Sequence, residues 1–259
     1  MAGRRDAPFL LTVDVEPDWG ISGDRSVREQ LPPFLELLAR YRARATFFVV
    51  ADLVESCRET LAMVGPEHEI ASHGLTHRRL HDAPEQVVRS ELSDSRRKLE
   101  DALSRSVVGF RAPFLMRSPR WFEQLASAGY YYDSSCGSVA PWGNTLPPGR
   151  WKMTTQQGVV EIPTTTLRVL RLPFCLTYLR LLWPLAGHLI AKQARIMYLH
   201  LHELADPDLV RKLPRNLRWG LGRGVGERAR RIMERLVADT ADATATCREA
   251  AAGVRAVQV

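Results

Sequence analysis

The residues best suited to chemistry are two acids in Leu10-Leu-Thr-Val-Asp-Val-Glu16 and two imidazoles in Ser72-His-Gly-Leu-Thr-His77. Side chains two apart on a strand share a face, so Asp14 and Glu16 point the same way. Two carboxylates on a buried strand need a metal, a basic partner or water. Otherwise they open a solvated loop, with Pro17, Asp18 and Gly20 as its turn. His73 and His77, four apart, can lie on one face of a helical turn. Joined by one carboxylate, they would make a three-ligand zinc site that leaves a coordination position for water. The plain alternative is a pair of surface histidines, in a stretch that also holds His68 and His81. No Glu follows His73, which removes the His-Glu-x-x-His protease reading. Neither a Gly-x-Ser-x-Gly elbow nor a phosphate loop offers a competing nucleophile or phosphate site. Tyr198-Leu-His-Leu-His-Glu203 adds His200 and His202, two imidazoles expected on the same face of a strand.

Positioning these groups requires a scaffold, and the pattern supplies an alternating one. Apolar and β-branched residues predict strands at 10–16, 45–50, 69–72, 107–110, 130–133, 159–165 and 196–201. Helical spacing predicts helices at 26–44, with Ser26 as cap and Glu29 three residues on, and at 54–64, 84–103, 118–128 and 227–236. Strands 69–72 and 107–110 deliver His73 and Arg111 at their ends. Repeated strand and helix units with reactive residues at strand ends argue for an α/β fold, a parallel barrel or sheet, whose site lies at the carboxyl ends of the strands.

The chain has 259 residues, 45% hydrophobic and 25% charged, enough for a substantial core. Its net charge of +7 suits an anionic or membrane-surface partner. No zinc-finger spacing and no basic helix with interleaved aromatics supports nucleic acid, so no nucleic-acid partner is expected. Cys57, Cys136, Cys175 and Cys247 form no Cys-x-x-Cys pair and read as buried thiols of a reducing compartment. Without an apolar h-region behind the first arginines or a spanning run, a cytoplasmic location follows.

Asp14-Val-Glu16, His73-x-x-x-His77, Arg111-Ala-Pro-Phe114 and Leu199-His200 together resemble the NodB-like polysaccharide deacetylases, carbohydrate esterase family four. The resemblance runs from about Phe9 to about Asp206 and implies one domain over 1–259, a distorted (β/α) barrel of about seven parallel strands. It implies a hydrolase that removes N-acetyl groups from amino sugars with a divalent metal, zinc first, with cobalt or nickel as alternatives. The family's common first motif is Thr-Phe-Asp-Asp-Gly, whereas Val15 stands at the second acid here. The chain is similar to the Asp-x-Glu branch, which puts Glu16, His73 and His77 on the metal and Asp14 as base, with Asp18 in reserve. By the same resemblance Arg111 holds Asp14, and His200, favoured over the competing His202, protonates the leaving amine; Asp133, in Tyr132-Asp-Ser-Ser135, orients or tunes His200 or else caps a helix or turn. Two rivals stand beside this reading: a deformylase or ureide amidohydrolase of the same fold, and a catalytically silent carbohydrate-binding barrel.

On the substrate side, Trp19, Trp142 and Trp219 lie in loops where an aromatic face can stack on a sugar, or simply pack. Phe114 is a pocket wall or a core residue. An apolar insertion around 167–190, broken by Arg168, Arg171, Pro173, Arg180 and Pro184, either caps the barrel or makes peripheral contact with the inner face of a membrane. Gly220-Leu-Gly-Arg-Gly-Val-Gly226 reads as a loop before the helix at 227, within a C-terminal helical segment around 215–259. With the insertion it suggests an amino sugar carried on a lipid or nucleotide phosphate.

Overall fold

The computed structural model describes residues 8–136, 151–165, 174–182 and 194–257. Trp142 and most of the insertion around 167–190 lie outside them. Strands β1 (Phe9–Val15), β2 (Thr46–Val49), β3 (Glu69–Ser72), β4 (Gly109–Phe110) and β5 (Tyr132–Asp133) run parallel, one beside the next. A hairpin of β6 (Thr154–Gln156) and β7 (Val159–Glu161) adds β7 in parallel to β5, with β6 antiparallel outside it. On the other side β8 (Ile196–His200) pairs in parallel with β1, and the short β9 (Thr244–Ala245) also joins β1.

The path β7-β5-β4-β3-β2-β1-β8 is therefore seven parallel strands in a curled sheet. Its two ends approach each other. Thr165 Oγ1 accepts from the Arg195 and Ile196 amides at 3.0 and 3.1 Å, and Cys175 forms an isolated parallel bridge to Tyr198. This is the distorted α/β barrel that the family resemblance implied, where the alternating pattern alone left barrel or sheet open. The antiparallel β6 and the late β9 were not in it.

Alternation along β1 positions the chemistry. Phe9, Leu11, Val13 and Val15 join the apolar layer between strands and helices, while Leu10 joins the interior with Phe48, Tyr132 and Ile196. Period two then carries Thr12, Asp14 and Glu16 up the interior face behind Leu10. Register sets Asp14 beside Phe48 of β2 and His200 of β8. On β8 the same alternation turns Met197 and Leu199 outward into the helix layer.

Helices α1 (Arg25–Tyr41), α2 (Val54–Ala62), α3 (Glu85–Leu103), α4 (Trp121–Ser127) and α5 (Leu176–Leu182) follow successive strands, and α6 (Arg215–Leu221), α7 (Glu227–Thr240) and α8 (Cys247–Val257) close the chain. All but α6 bury apolar side chains against the barrel. Ser26 is not the cap of α1. The helix begins one residue earlier, and the Ser26 amide donates instead to Asp18 Oδ1 at 2.9 Å. The second carboxylate oxygen of Asp18 takes Lys212 Nζ at 2.7 Å. All four cysteines are buried, and none forms a disulfide.

The thin strands β4 and β5 lie close because residue 109 has no side chain: a Cβ there would overlap the Tyr132 ring. Gly109→Ala, two residues before Arg111, is expected to cost about 1–3 kcal/mol. Urea unfolding checks this; an unchanged midpoint would show that Tyr132 can move aside.

Candidate active site

Each acid at the top of β1 meets a different partner. Asp14, 3% exposed, takes Arg111 Nη1 on Oδ1 at 2.7 Å and has His200 Nε2 4.0 Å from Oδ2. Arg111 is fully buried and has no freedom left. Nη1 also donates to Thr12 Oγ1 at 2.9 Å, Nε to the Ser134 carbonyl at 3.1 Å and Nη2 to Ser134 Oγ at 3.0 Å. Its plane lies over the Phe48 ring, 4.1 Å from the centroid. A guanidinium fixed on five sides holds its carboxylate partner to one orientation.

Glu16, just past the strand, enters a ring of imidazoles. Oε2 lies 2.7 Å from His77 Nε2 and 3.7 Å from His73 Nε2, and Oε1 lies 3.9 Å from His202 Nδ1. Burial works to raise the Glu16 carboxyl, but His200, His73 and His77 outweigh it and hold it well below the usual range. One ligand atom from each of Glu16, His73 and His77 lies within 4.8 Å of the others, and all three residues are buried.

The chemistry of these donors fits a cation. His73 Nδ1 donates to the Arg111 carbonyl at 2.8 Å, which leaves the Nε2 lone pair aimed at the cluster, the usual arrangement of a metal-ligating histidine. Arg111 therefore fixes Asp14 with its side chain and His73 with its backbone.

The His73–His77 spacing does not work through a helical turn. Gly74 and His77 have φ of 84° and 61°, and the segment is a loop. What shapes it is Glu91 of α3, which accepts the Leu75 and Thr76 amides at 2.7 and 3.1 Å and the Thr76 hydroxyl at 2.5 Å. Sequence reading missed Glu91. The available signal was an acid on the buried side of α3, between Val88 and Leu92.

His200 and His202 are not equivalent either. His200 ends β8, while His202 lies in the following turn, Leu201–Glu203. Their rings stack at 4.9 Å, and Trp19 covers the far side of His202 at 4.3 Å while its amide donates to His202 Nδ1 at 3.2 Å. Burial and the charge on His200 push His202 down to about 4, so it is neutral. For His200 burial opposes the charge, but Glu16, Glu203 and Asp14 override it and raise the group to about 9.

Glu203 is the second residue that sequence reading missed. It is fully buried, takes Arg180 Nη2 at 2.9 Å and the Thr177 hydroxyl, and sets Oε2 3.7 Å from His200 Nδ1. Burial opposes its charge, but His200 and Arg180 hold its carboxyl well below the usual range. Arg180, equally buried, also donates to the Arg223 and Leu221 carbonyls at 2.6 and 3.0 Å. The glycine-rich run 220–226 thus ends α6 and folds over this ion pair.

Asp133 does not reach His200. Its oxygens accept Trp121 Nε1 at 3.0 Å and Ser135 Oγ at 2.5 Å, and Ser135 in turn accepts the Ala112 amide at 2.8 Å. The carboxylate that orients His200 is Glu203, three residues on along the same turn. Asp133 braces the turn after Arg111, beside a buried Arg117–Glu161 pair at 3.2 Å. Burial and the adjacent Asp133 push Glu161 well up. Asp18 gives one oxygen to the Ser26 amide in the first turn of α1 and the other to Lys212, and it is not part of the Glu16, His73 and His77 group.

Trp19 and Phe114 flank the cluster on opposite sides. Phe114 is 49% exposed, with its ring 4.8 Å from that of His77. Trp19, His77 and Phe114 have φ of 58°, 61° and 59°. Bulky side chains rarely adopt that conformation, and three of the eight non-glycine residues with positive φ gather at this cluster. Trp219 is 79% exposed on α6.

The sequence model of one family, described as polysaccharide deacetylase, matches residues 4–132. Among solved structures, one assigned as a polysaccharide deacetylase from Mycobacterium smegmatis superposes with a TM-score of 0.66 at 20% identity, covering 99% of this chain and 94% of that one. A second so assigned, from Pseudomonas aeruginosa PAO1, gives 0.58 at 17% identity over 94% and 89%. PuuE allantoinase gives 0.62 at 14% identity over 99% and 92%. At these identities the three share the fold.

His200 stands above its ordinary value of 6.5, at about 9. A raised histidine stabilises the fold fully below 6.5 and loses that contribution as pH rises through the folded value. Metal-free protein should therefore lose stability between those limits, and His200→Gln should lose less. Thermal midpoints against pH check this; parallel curves for the two proteins would contradict it.

Proposed function

Because the chain belongs to the polysaccharide deacetylase family, we propose that it is a metal-dependent hydrolase removing an N-acetyl group from an amino sugar. The observation behind this reading is the buried Glu16, His73 and His77 cluster, with Asp14 fixed by Arg111 on the same interior face of β1. A divalent cation held by those three residues, zinc foremost, would supply Lewis acidity toward the amide oxygen and lower the pKa of water toward about 7.

The remaining work falls to side chains. Asp14 accepts the proton of the attacking water as general base. Arg111 holds that carboxylate aimed, and burial in the barrel interior strengthens the pair. His200, the more exposed of the two stacked imidazoles, faces the reacting centre and gives its proton to the departing amine. His202, neutral and sandwiched, fixes the His200 ring plane. Glu203, anchored by Arg180, is a positioning residue for His200. Trp19 and Phe114 form the walls between which the sugar ring enters.

The direct test is a screen of protein loaded with zinc, cobalt or nickel against acetylated amino sugars, formylated sugars and a ureide. Release of acetate alone is expected; formate or ring opening would transfer the site to the rival substrates.

Asp14→Asn is expected to retain the metal and to lower turnover about a thousandfold. His77→Ala should lose both. Equal metal loss in the two variants, by elemental analysis, would make Asp14 a ligand. Glu203→Gln should slow release of an amine about tenfold or more, since that leaving group needs a proton. The same variant should hydrolyse p-nitrophenyl acetate as before, because nitrophenolate leaves unprotonated. Equal loss on both substrates would reduce Glu203 to a structural role.

A further inference from the structure

The rim of the barrel mouth carries features that the proposed reaction does not use. Six large apolar side chains are exposed among the described residues, and four of them, Ile21, Phe114, Leu217 and Trp219, stand on segments that follow the carboxyl ends of β1, β4 and β8. These segments are tied to the site. Lys212 Nζ bonds Asp18 and the Ser22 carbonyl, next to Ile21. At the other end of α6, Arg180 links the Leu221 and Arg223 carbonyls to Glu203, and so to His200.

Helix α6 itself buries no residue. Five of its seven residues are exposed, and a helix this short does not hold itself in water, so its outer side suits a surface that covers it. From Leu209 to Gly226 the chain carries five basic residues and no acid. Arg218 bonds the Leu213 and Arg211 carbonyls and Lys212 bonds Asp18. No carboxylate among the described residues lies against Arg211, Arg215 or Arg223.

Exposed Trp and Leu beside free arginines, on the face that holds the site, match the headgroup boundary of an anionic bilayer. A second copy of the chain would set like charges against each other. An acidic polysaccharide would leave the apolar side chains in water. Among the described residues no helix is long and apolar enough to cross a membrane, so the contact is peripheral.

We propose that this rim docks on an anionic lipid bilayer, with Trp219 inserted and Arg211, Arg215 and Arg223 on the headgroups, so that the site receives an amino sugar anchored in that bilayer. The choice of sugar rests on the deacetylase reading; the docking does not, and lipid binding is measured without turnover, so either can fail alone.

The test is cosedimentation of the full chain with phosphatidylcholine vesicles, with and without phosphatidylglycerol. Binding is expected only with phosphatidylglycerol and should weaken as salt rises. Replacing Arg211, Arg215 and Arg223 together by Gln should lower it about a hundredfold, about fivefold for each charge. Trp219→Ala should weaken it several-fold without moving the thermal midpoint, since the side chain touches no core. Equal binding to neutral vesicles, or none to either, would overturn the proposal. So would binding that ignores both variants, a dimer in light scattering that Trp219→Ala dissociates, or retention on an acidic polysaccharide in place of vesicles.

Discussion

A carboxylate taken out of water is the constraint on which the structure depends. Glu16 is 8% exposed, and three imidazoles converge on it from two separate loops. An ionised acid in that position would cost several kcal/mol unless something cationic faced it. Two neutral imidazoles with lone pairs aimed inward repel such a charge unless they carry protons or share a cation. The donor set is therefore complete only with a positive ion or with protonated histidines, and the His73 bond to the Arg111 carbonyl favours the former.

Everything around that carboxylate serves to fix it without filling it. Arg111 is the crossing point: its backbone carbonyl orients His73, its guanidinium holds Asp14, and its contacts to Thr12 and Ser134 join β1 to the segment after β5. Behind it, Asp133 and Ser135 hold the Ala112 amide, so the turn bearing Phe114 keeps a strained backbone. Glu91 performs the same service for the histidine loop and Glu203 for His200. Three buried acids thus shape loops at the barrel mouth, while the two acids at the top of β1 meet Arg111 and the histidine cluster. Rigid support of this kind is what a site needs if its groups are to meet substrate without rearranging.

Much of this was legible beforehand because it follows local rules. Alternation in Phe9–Val15 assigns Asp14 and Glu16 to one face, and an α/β rhythm places strand ends at one mouth. The order Asp14, Glu16, His73, His77, Arg111, His200 on that rhythm was enough to name the family. Contacts between helices and distant loops were less accessible. Glu91 acts on residues 75 and 76 from the middle of α3, and Arg180 reaches Glu203 from the apolar insertion. Neither has a periodic or spacing signature, since a buried pair is defined by where two chains meet. The His73 and His77 spacing suggested a helical turn, but Gly74 with positive φ and the pull of Glu91 make a loop that serves the same end. Asp133 was assigned to His200 with no spacing signal to place it there, and Trp121 and Ser135 hold it elsewhere.

X-ray absorption on the zinc-loaded protein would test the cation cluster most directly. Two imidazole nitrogens at about 2.0–2.1 Å with the remaining donors oxygen are expected, and one imidazole should vanish in His73→Ala. A spectrum without imidazole scattering, or one unchanged by that substitution, would contradict a metal held by Glu16, His73 and His77.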